Sequence, residues 1–298
     1  MASHQTIKDP PAEISPLEGL VDTPVYHFTG ITLLRNHVRL LSAKLEASHP
    51  NQQYLVFWDV TKDHLAQIDC QRAIIGKHTR LTHYTDIGLL IVKLIPSRKH
   101  EKAPISLGIK LILALARMGL PDDSLCPLGT ATFYCPTSSK QPDASFIPNS
   151  RNSNVDWPTI VFECGVSESL TQLRIDADWW LTNSPSQGKV QIVIIISINT
   201  RERSIRIEKW CLTPPFVPRN ATRANPNGNN PVPIPTNMQV IVITENPTAP
   251  PQAPTYTIIG APLVLEFDKL LLRAPVPPEG NVVFAAPQLS EWARRIWY

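Results

Sequence analysis

The sequence predicts an α/β protein: a mixed central β-sheet flanked by helices, with an N-terminal helical extension and Pro/Asn-rich insertions. Three observations carry this. Apolar runs of strand length alternate with segments of helical spacing along most of the chain. The stretch Val190 to Ile198 is apolar on both faces, as a strand at the centre of a sheet must be. Proline is abundant, 30 residues against 12 glycines, which favours rigid extended connections over long helices.

The elements follow in order. Residues 1–24 are polar and proline-bearing and read as a loose, flexible tail. Ile31 to Ala47 places apolar side chains at helical spacing. Tyr54 to Val60 reads as a strand, and Ile87 to Ile95 as another, apolar on both faces and ended by Pro96. Ile105 to Met118 is a helix stopped by Gly119 and Pro121, and its mouth lies near residue 101. Strands are expected at 130–135, 143–147 and 159–164, then a helix over 169–181. The central strand 190–198 and a strand 203–210 nearer an edge complete one sheet.

Residues 213–237 and 246–254 are rich in Pro and Asn and lack apolar periodicity, so little regular structure is expected there. Between them a strand is expected over Gln239–Thr244. Short strands at Tyr256–Ile259 and Leu263–Phe267 and an amphipathic helix, Leu289–Trp297, end the chain. There are no internal repeats, and residues 25–298 read as a single domain.

Composition narrows the function. Hydrophobic residues make up 43% of the 298, enough for a sizeable core. Lys and Arg number 28 against 25 Asp and Glu, a balance too even to argue nucleic acid from charge alone. No secretory signal is read at the N-terminus. The most apolar run, Val190–Ile198, falls far short of the ~20 residues of a membrane helix. Five widely spaced cysteines do not form a disulfide framework, and no CxxC or HxxxH pair offers zinc ligands. Reduced thiols in a cytoplasmic or nuclear protein, not secreted and not membrane-bound, are expected. Phosphate-binding loops and nucleophile elbows are missing from the sequence.

Four pieces carry chemistry together. Arg98-Lys99-His100-Glu101 sits after a strand and at the mouth of a helix. Pro142-Asp143 opens a short strand, and Glu163 lies near the end of the next. The helix after it carries Gln172, Arg174 and Asp176. A carboxylate on a strand as apolar as the one around Glu163 is costly unless paired or metal-bound.

This ordered set resembles the restriction-endonuclease-like, PD-(D/E)XK superfamily of nucleases and, more narrowly, a fungal group of such domains. The resemblance rests on His100-Glu101, KQPDASFIP at 140–148, WPTIVFECGVSESLTQLRIDADWWLTNS at 157–184, the long apolar strand, and IRIEKW at 205–210. It covers about 85–210 as the nuclease-like core and leaves 211–298 as a C-terminal elaboration. It implies metal-dependent hydrolysis of phosphodiesters in DNA or RNA. Such chemistry needs a divalent ion to shield the phosphate and lower the pKa of a water. Mg²⁺ or Mn²⁺ would be held by Asp143 and Glu163, with Glu101 completing the set.

The family places a lysine two residues beyond the second acid; here that residue is Gly165. Arg174 on the following helix is the candidate replacement and Lys189 a remoter one, but arginine stays protonated and is a poor proton acceptor. Gln172 joins the catalytic set. His100, Ser167 and Trp180 are the expected substrate contacts. Three functions stay open: a nuclease with an impaired site, a non-catalytic binding module on the nuclease fold, and a repurposed pocket acting on a small molecule.

Overall fold

The computed structural model describes residues 15–20, 23–48, 53–76, 78–95, 98–129, 131–166, 170–186, 188–214, 233–250, 252 and 254–298. The chain begins β1 (Val25–His27), α1 (Ile31–Ser48), β2 (Tyr54–Trp58), α2 (Lys62–Cys70), α3 (Arg72–Ile75), β3 (Thr79–Tyr84), β4 (Leu89–Leu94) and α4 (Arg98–Arg117). It continues through β5 (Leu125–Pro127), β6 (Phe133–Tyr134), β7 (Ser138–Lys140), β8 (Ala144–Pro148), β9 (Ile160–Val166), α5 (Leu170–Asn183), β10 (Ile192–Asn199) and β11 (Ser204–Thr213). It closes with β12 (Ile234–Glu245), β13 (Tyr256–Ile259), β14 (Leu263–Leu265), α6 (Phe267–Leu271), β15 (Val282–Phe284) and α7 (Ala286–Trp297).

The protein is a mixed α/β fold. Its seven-stranded sheet has the order β13-β12-β11-β10-β9-β8-β5. β9 and β10 are parallel and joined through α5; the other pairs are antiparallel. β10 lies inside the sheet with Ile192 to Ile196 buried, which is why its sequence is apolar on both faces. Leu107, Leu111 and Leu115 of α4 pack on one face, against Phe162, Ile194 and Ile196. Leu173, Ala177 and Trp180 of α5 pack on the other, against Val161, Val193 and Ile195. The helical spacing of each triplet is what aims it at the sheet.

The N-terminal part holds strands as well as helices. A six-stranded sheet, β1-β2-β4-β3-β7-β6, stands beside the central one. Leu34, Val38, Leu41 and Leu45 of α1 cover one face of it, where Leu55, Phe57, Leu81, Leu90 and Val92 point. Side chains alternate along a strand, so Leu89, Ile91 and Lys93 of β4 point the other way, toward β9 and α5.

Several expectations are corrected. The strand expected at 130–135 is the short β6, and it belongs to the six-stranded sheet because it pairs with β7, which pairs with β3. Residues 234–237 belong to β12, since Pro235 and Ile234 pair with Leu212 and Thr213; residues 215–232 of that expected loop lie outside the described residues. The run after Glu245 is as expected, with no helix or strand among its described residues; it turns the chain into β13, the Asn246 amide donating to the Thr255 carbonyl at 2.8 Å and the Thr248 amide to Asn246 Oδ1 at 3.1 Å.

Residues 15–20, read from the sequence as loose tail, form a turn. Leu20 is buried with Tyr54, Val56, Leu89 and Ile91. The backbone at Gly19 comes so close to Gln172 that a Cβ there would lie 2.6 Å from the Gln172 nitrogen. All five cysteines are free. Among the described residues no helix is long and apolar enough to cross a membrane.

Candidate functional site

Asp143 directly precedes β8. The antiparallel register that pairs Ala144 with Phe162 sets it across from Glu163 on β9. α5 follows β9 and brings Gln172 and Asp176 to the same region. The opposing wall is the inward face of the six-stranded sheet. The register there places Lys93 beside both Tyr54 and Arg80, and Thr82 beside both Ile91 and Lys140. A small cavity lies between the walls, lined by Arg80, Lys93, Lys140, Glu163, Gln172 and Asp176 among others. Each of these six is less than a tenth exposed.

The acids are held by the chain's own cations. Lys93 Nζ lies 3.0 Å from Asp143 Oδ2 and 3.8 Å from Glu163 Oε2. It also donates to the Cys164 carbonyl at 2.7 Å. The Cys164 amide donates to Asp143 Oδ2 at 2.8 Å, and Arg80 Nε stands 3.6 Å from Oδ1. Lys140 Nζ lies 2.6 Å from Asp176 Oδ1, 3.1 Å from Thr82 Oγ1 and 4.0 Å from Glu163 Oε1. Trp180 Nε1 donates to Glu163 Oε1 at 2.6 Å. Gln172 Nε2 donates to Asp176 Oδ1 at 3.3 Å.

Burial and ion pairing pull the two central carboxyls apart. Burial pushes Glu163 up to about 8; Lys140 and Lys93 oppose this, while Asp176 and Asp143 add to it. Burial also acts to raise Asp143, but Lys93, His100, Arg80 and the Cys164 amide together outweigh it and hold this carboxyl well below the usual range. Two carboxyls a few ångströms apart with opposite shifts are a common arrangement where one holds a proton and the other a charge.

The expected residues fall into three groups. Asp143, Glu163 and Gln172 meet in or at the cavity. His100 joins them, fully buried with Nε2 3.8 Å from Asp143 Oδ2. Burial lowers it to about 4, so it stays neutral at physiological pH. Glu101, Arg174 and Trp180 do not take the expected places. Glu101 is one helix position past His100 and so turns outward, where its Oε1 meets His78 Nδ1 at 3.2 Å. Arg174 reaches across to β11 and forms a two-pronged pair with Glu208, at 3.1 and 2.8 Å. Trp180 is fully buried behind Glu163, where it holds the carboxyl and cannot stack on a base. Ser167 lies outside the described residues. Lys189 sits in the segment before β10, where its carbonyl accepts from Arg151.

Sequence reasoning missed Lys93 and Lys140, the two ammonium groups of the site. The signal was present. Lys93 interrupts an otherwise apolar strand, and a buried lysine needs a partner as much as a buried glutamate does. Lys140 stands three residues before Asp143, in the very segment that carries the family resemblance.

The arrangement does not fit a divalent ion. Lys93 occupies the position between Asp143 and Glu163 where an ion bridging them would sit. Three acids, Asp143, Glu163 and Asp176, already face three cations, Arg80, Lys93 and Lys140. The third expected ligand, Glu101, points elsewhere. Among the described residues no group of three or more His, Cys, Asp and Glu side chains is placed to hold a metal.

No family model matches the chain, and no curated protein matches it. Among solved structures, the chain is similar to a crystal structure from Anabaena variabilis described as a candidate nuclease belonging to DUF820. That likeness has a TM-score of 0.32 and 18% identity, and covers 47% of this chain and 80% of the other.

Proposed function

We propose that this chain is a nuclease-like protein whose phosphodiester-cleaving site is impaired, a descendant of metal-dependent enzymes acting on DNA or RNA. One observation carries the reading. Asp143 and Glu163 stand across from each other as the resemblance requires, and Lys93 fills the space between them. With Glu163 protonated, the cations Arg80, Lys93 and Lys140 outnumber the ionised acids Asp143 and Asp176, so a divalent cation has no net negative charge to attract it. Because Glu163 holds a proton at neutral pH, one of the two expected ligands is also in the wrong state to bind one.

What remains of the hydrolytic equipment is a lysine touching both acids. In an opened site that ammonium would orient a water or shield a phosphate oxygen.

The test is a cleavage assay on supercoiled plasmid, single-stranded DNA and RNA with Mg²⁺ and with Mn²⁺, alongside calorimetric titration of each ion. No turnover and no ion binding are expected. Turnover that vanishes in Asp143→Ala and Glu163→Ala, with ion binding lost in the same variants, would replace this reading with that of an active metal-dependent nuclease.

A further inference from the structure

We propose that α4 carries a two-fold self-association surface, and that its occupant is a second copy of this chain packed antiparallel across Ile109. The observation is a row of side chains at every fourth position: Glu101, Ile105, Ile109, Leu113 and Arg117. Ile105, Ile109 and Leu113 are about half exposed, at 50%, 51% and 50%. Arg117 is exposed at the end of the helix and Glu101 is partly exposed at its start. Single exposed apolar residues need no explanation. Three in one unbroken ridge on a helix whose opposite side is fully packed are a different matter.

The ridge reads as a palindrome of chemistry. Taking Ile109 as the centre, Ile105 and Leu113 stand one step away on either side, and Glu101 and Arg117 two steps away. An antiparallel copy laid on the same ridge brings Ile109 to Ile109 once, on the axis, and Ile105 to Leu113 and Glu101 to Arg117 twice each. This is the self-complementarity that a two-fold interface demands. The row spans about 24 Å at 1.5 Å per residue.

Charge decides for a second copy over a strongly acidic or basic partner. The ridge carries one acid and one base at opposite ends, so a uniformly charged helix would gain at one end what it loses at the other. The same two charges suit the helix dipole, which makes the pairing, rather than the charges alone, the diagnostic. A contact centred on one helix pair lies at the small end of specific interfaces, and dissociation in the micromolar range is expected.

The experiment is sedimentation equilibrium of the full chain from about 1 to 200 µM, chosen to bracket that range. The wild type is expected to dimerise. Ile109→Glu should be monomeric throughout, and Leu113→Lys gives the same test independently should the first variant fold poorly. Glu101→Arg and Arg117→Glu should each weaken the dimer on the order of tenfold by placing like charges opposite. The double variant E101R/R117E should recover most of that loss, because the swap restores both pairs. A wild type that stays monomeric overturns the proposal. So does a dimer indifferent to Ile109→Glu and Leu113→Lys, or a double variant no tighter than either single one.

Discussion

Lys93 Nζ and the Cys164 amide converge on one oxygen of Asp143, at 3.0 and 2.8 Å, while Lys93 also holds the Cys164 carbonyl. The lysine thus ties the six-stranded sheet to β9 and the acid before β8 at a single point. Removing one partner of such a buried pair leaves a charge in a low-dielectric interior with no water to replace it. Lys93→Ala should cost about 3–5 kcal/mol of unfolding free energy. Lys93→Met with Asp143→Asn should cost clearly less than the two single changes added together. Urea denaturation of the four proteins gives the coupling directly. Additive losses would mean that the pair is not a unit.

Glu163 has a pH signature. Its carboxyl is held at about 8 against an ordinary 4.5, so the folded chain binds that proton more tightly than the unfolded chain does. Stability from this group is fully present below about pH 4.5 and is lost as pH rises through about 8. Glu163→Gln keeps the neutral shape and removes the slope. Comparing the two proteins at pH 5, 7 and 9 isolates this residue from His100, whose lowered value works in the opposite direction at acid pH. The variant should gain on wild type from pH 5 to 9 by at least about 1.4 kcal/mol, the worth of one pKa unit. A constant difference across that range would show an ordinary glutamate.

The elements legible in the sequence were those with a strong period. α4, α5 and β10 were found within a few residues because each buries a continuous stripe or two faces. The placement of Asp143 near Glu163 was read from two neighbouring strands that each carry an acid near an end. The six-stranded sheet was harder: β3 (TRLTHY) and β7 (SSK) are strands whose inward face is polar, so no apolar alternation announced them. Their polarity makes sense only once Asp143, Glu163 and Asp176 are known to lie opposite. Arg174 failed for a related reason. Spacing on a helix says which residues share a face, but Glu208 on a distant strand, which captures the guanidinium, cannot be seen from α5 alone.

The turn over residues 15–20 gives a third prediction. Gly19 lies against the Gln172 backbone, and the nearest atoms to an added Cβ are 2.6 and 2.7 Å away in that backbone. Backbone at the start of a helix cannot give way as a flexible side chain would. Gly19→Val should therefore lift the turn off α5, at a cost of about 1–3 kcal/mol if the turn stays bound and less if it detaches. Hydrogen exchange should speed up at Leu20 and in the first turn of α5 while the β9 and β10 amides stay protected. Unchanged exchange at both places would mean that the turn does not pack there.

Gly108 sets two opposing effects against each other. It lies in the middle of α4, where replacing glycine by alanine ordinarily stabilises a helix by about 1 kcal/mol. Here a Cβ would stand 2.1 Å from Phe146 Cζ and 2.5 Å from Cε2, far inside contact distance. The ring has nowhere to go. It is 4% exposed and meets Phe162 edge to face, with centroids 5.7 Å apart. Either α4 moves off the sheet or Phe146 leaves its rotamer, and overpacking of this kind costs about 1–3 kcal/mol or more. Gly108→Ala should therefore destabilise the protein despite its higher helix propensity. Phe146→Leu shortens the side chain and should offset part of that loss when the two are combined, while being destabilising alone through the space it leaves. Thermal melts of wild type, both single variants and the double variant decide the matter. If Gly108→Ala melts at or above wild type, the helix propensity has won and α4 has room to spare over β8.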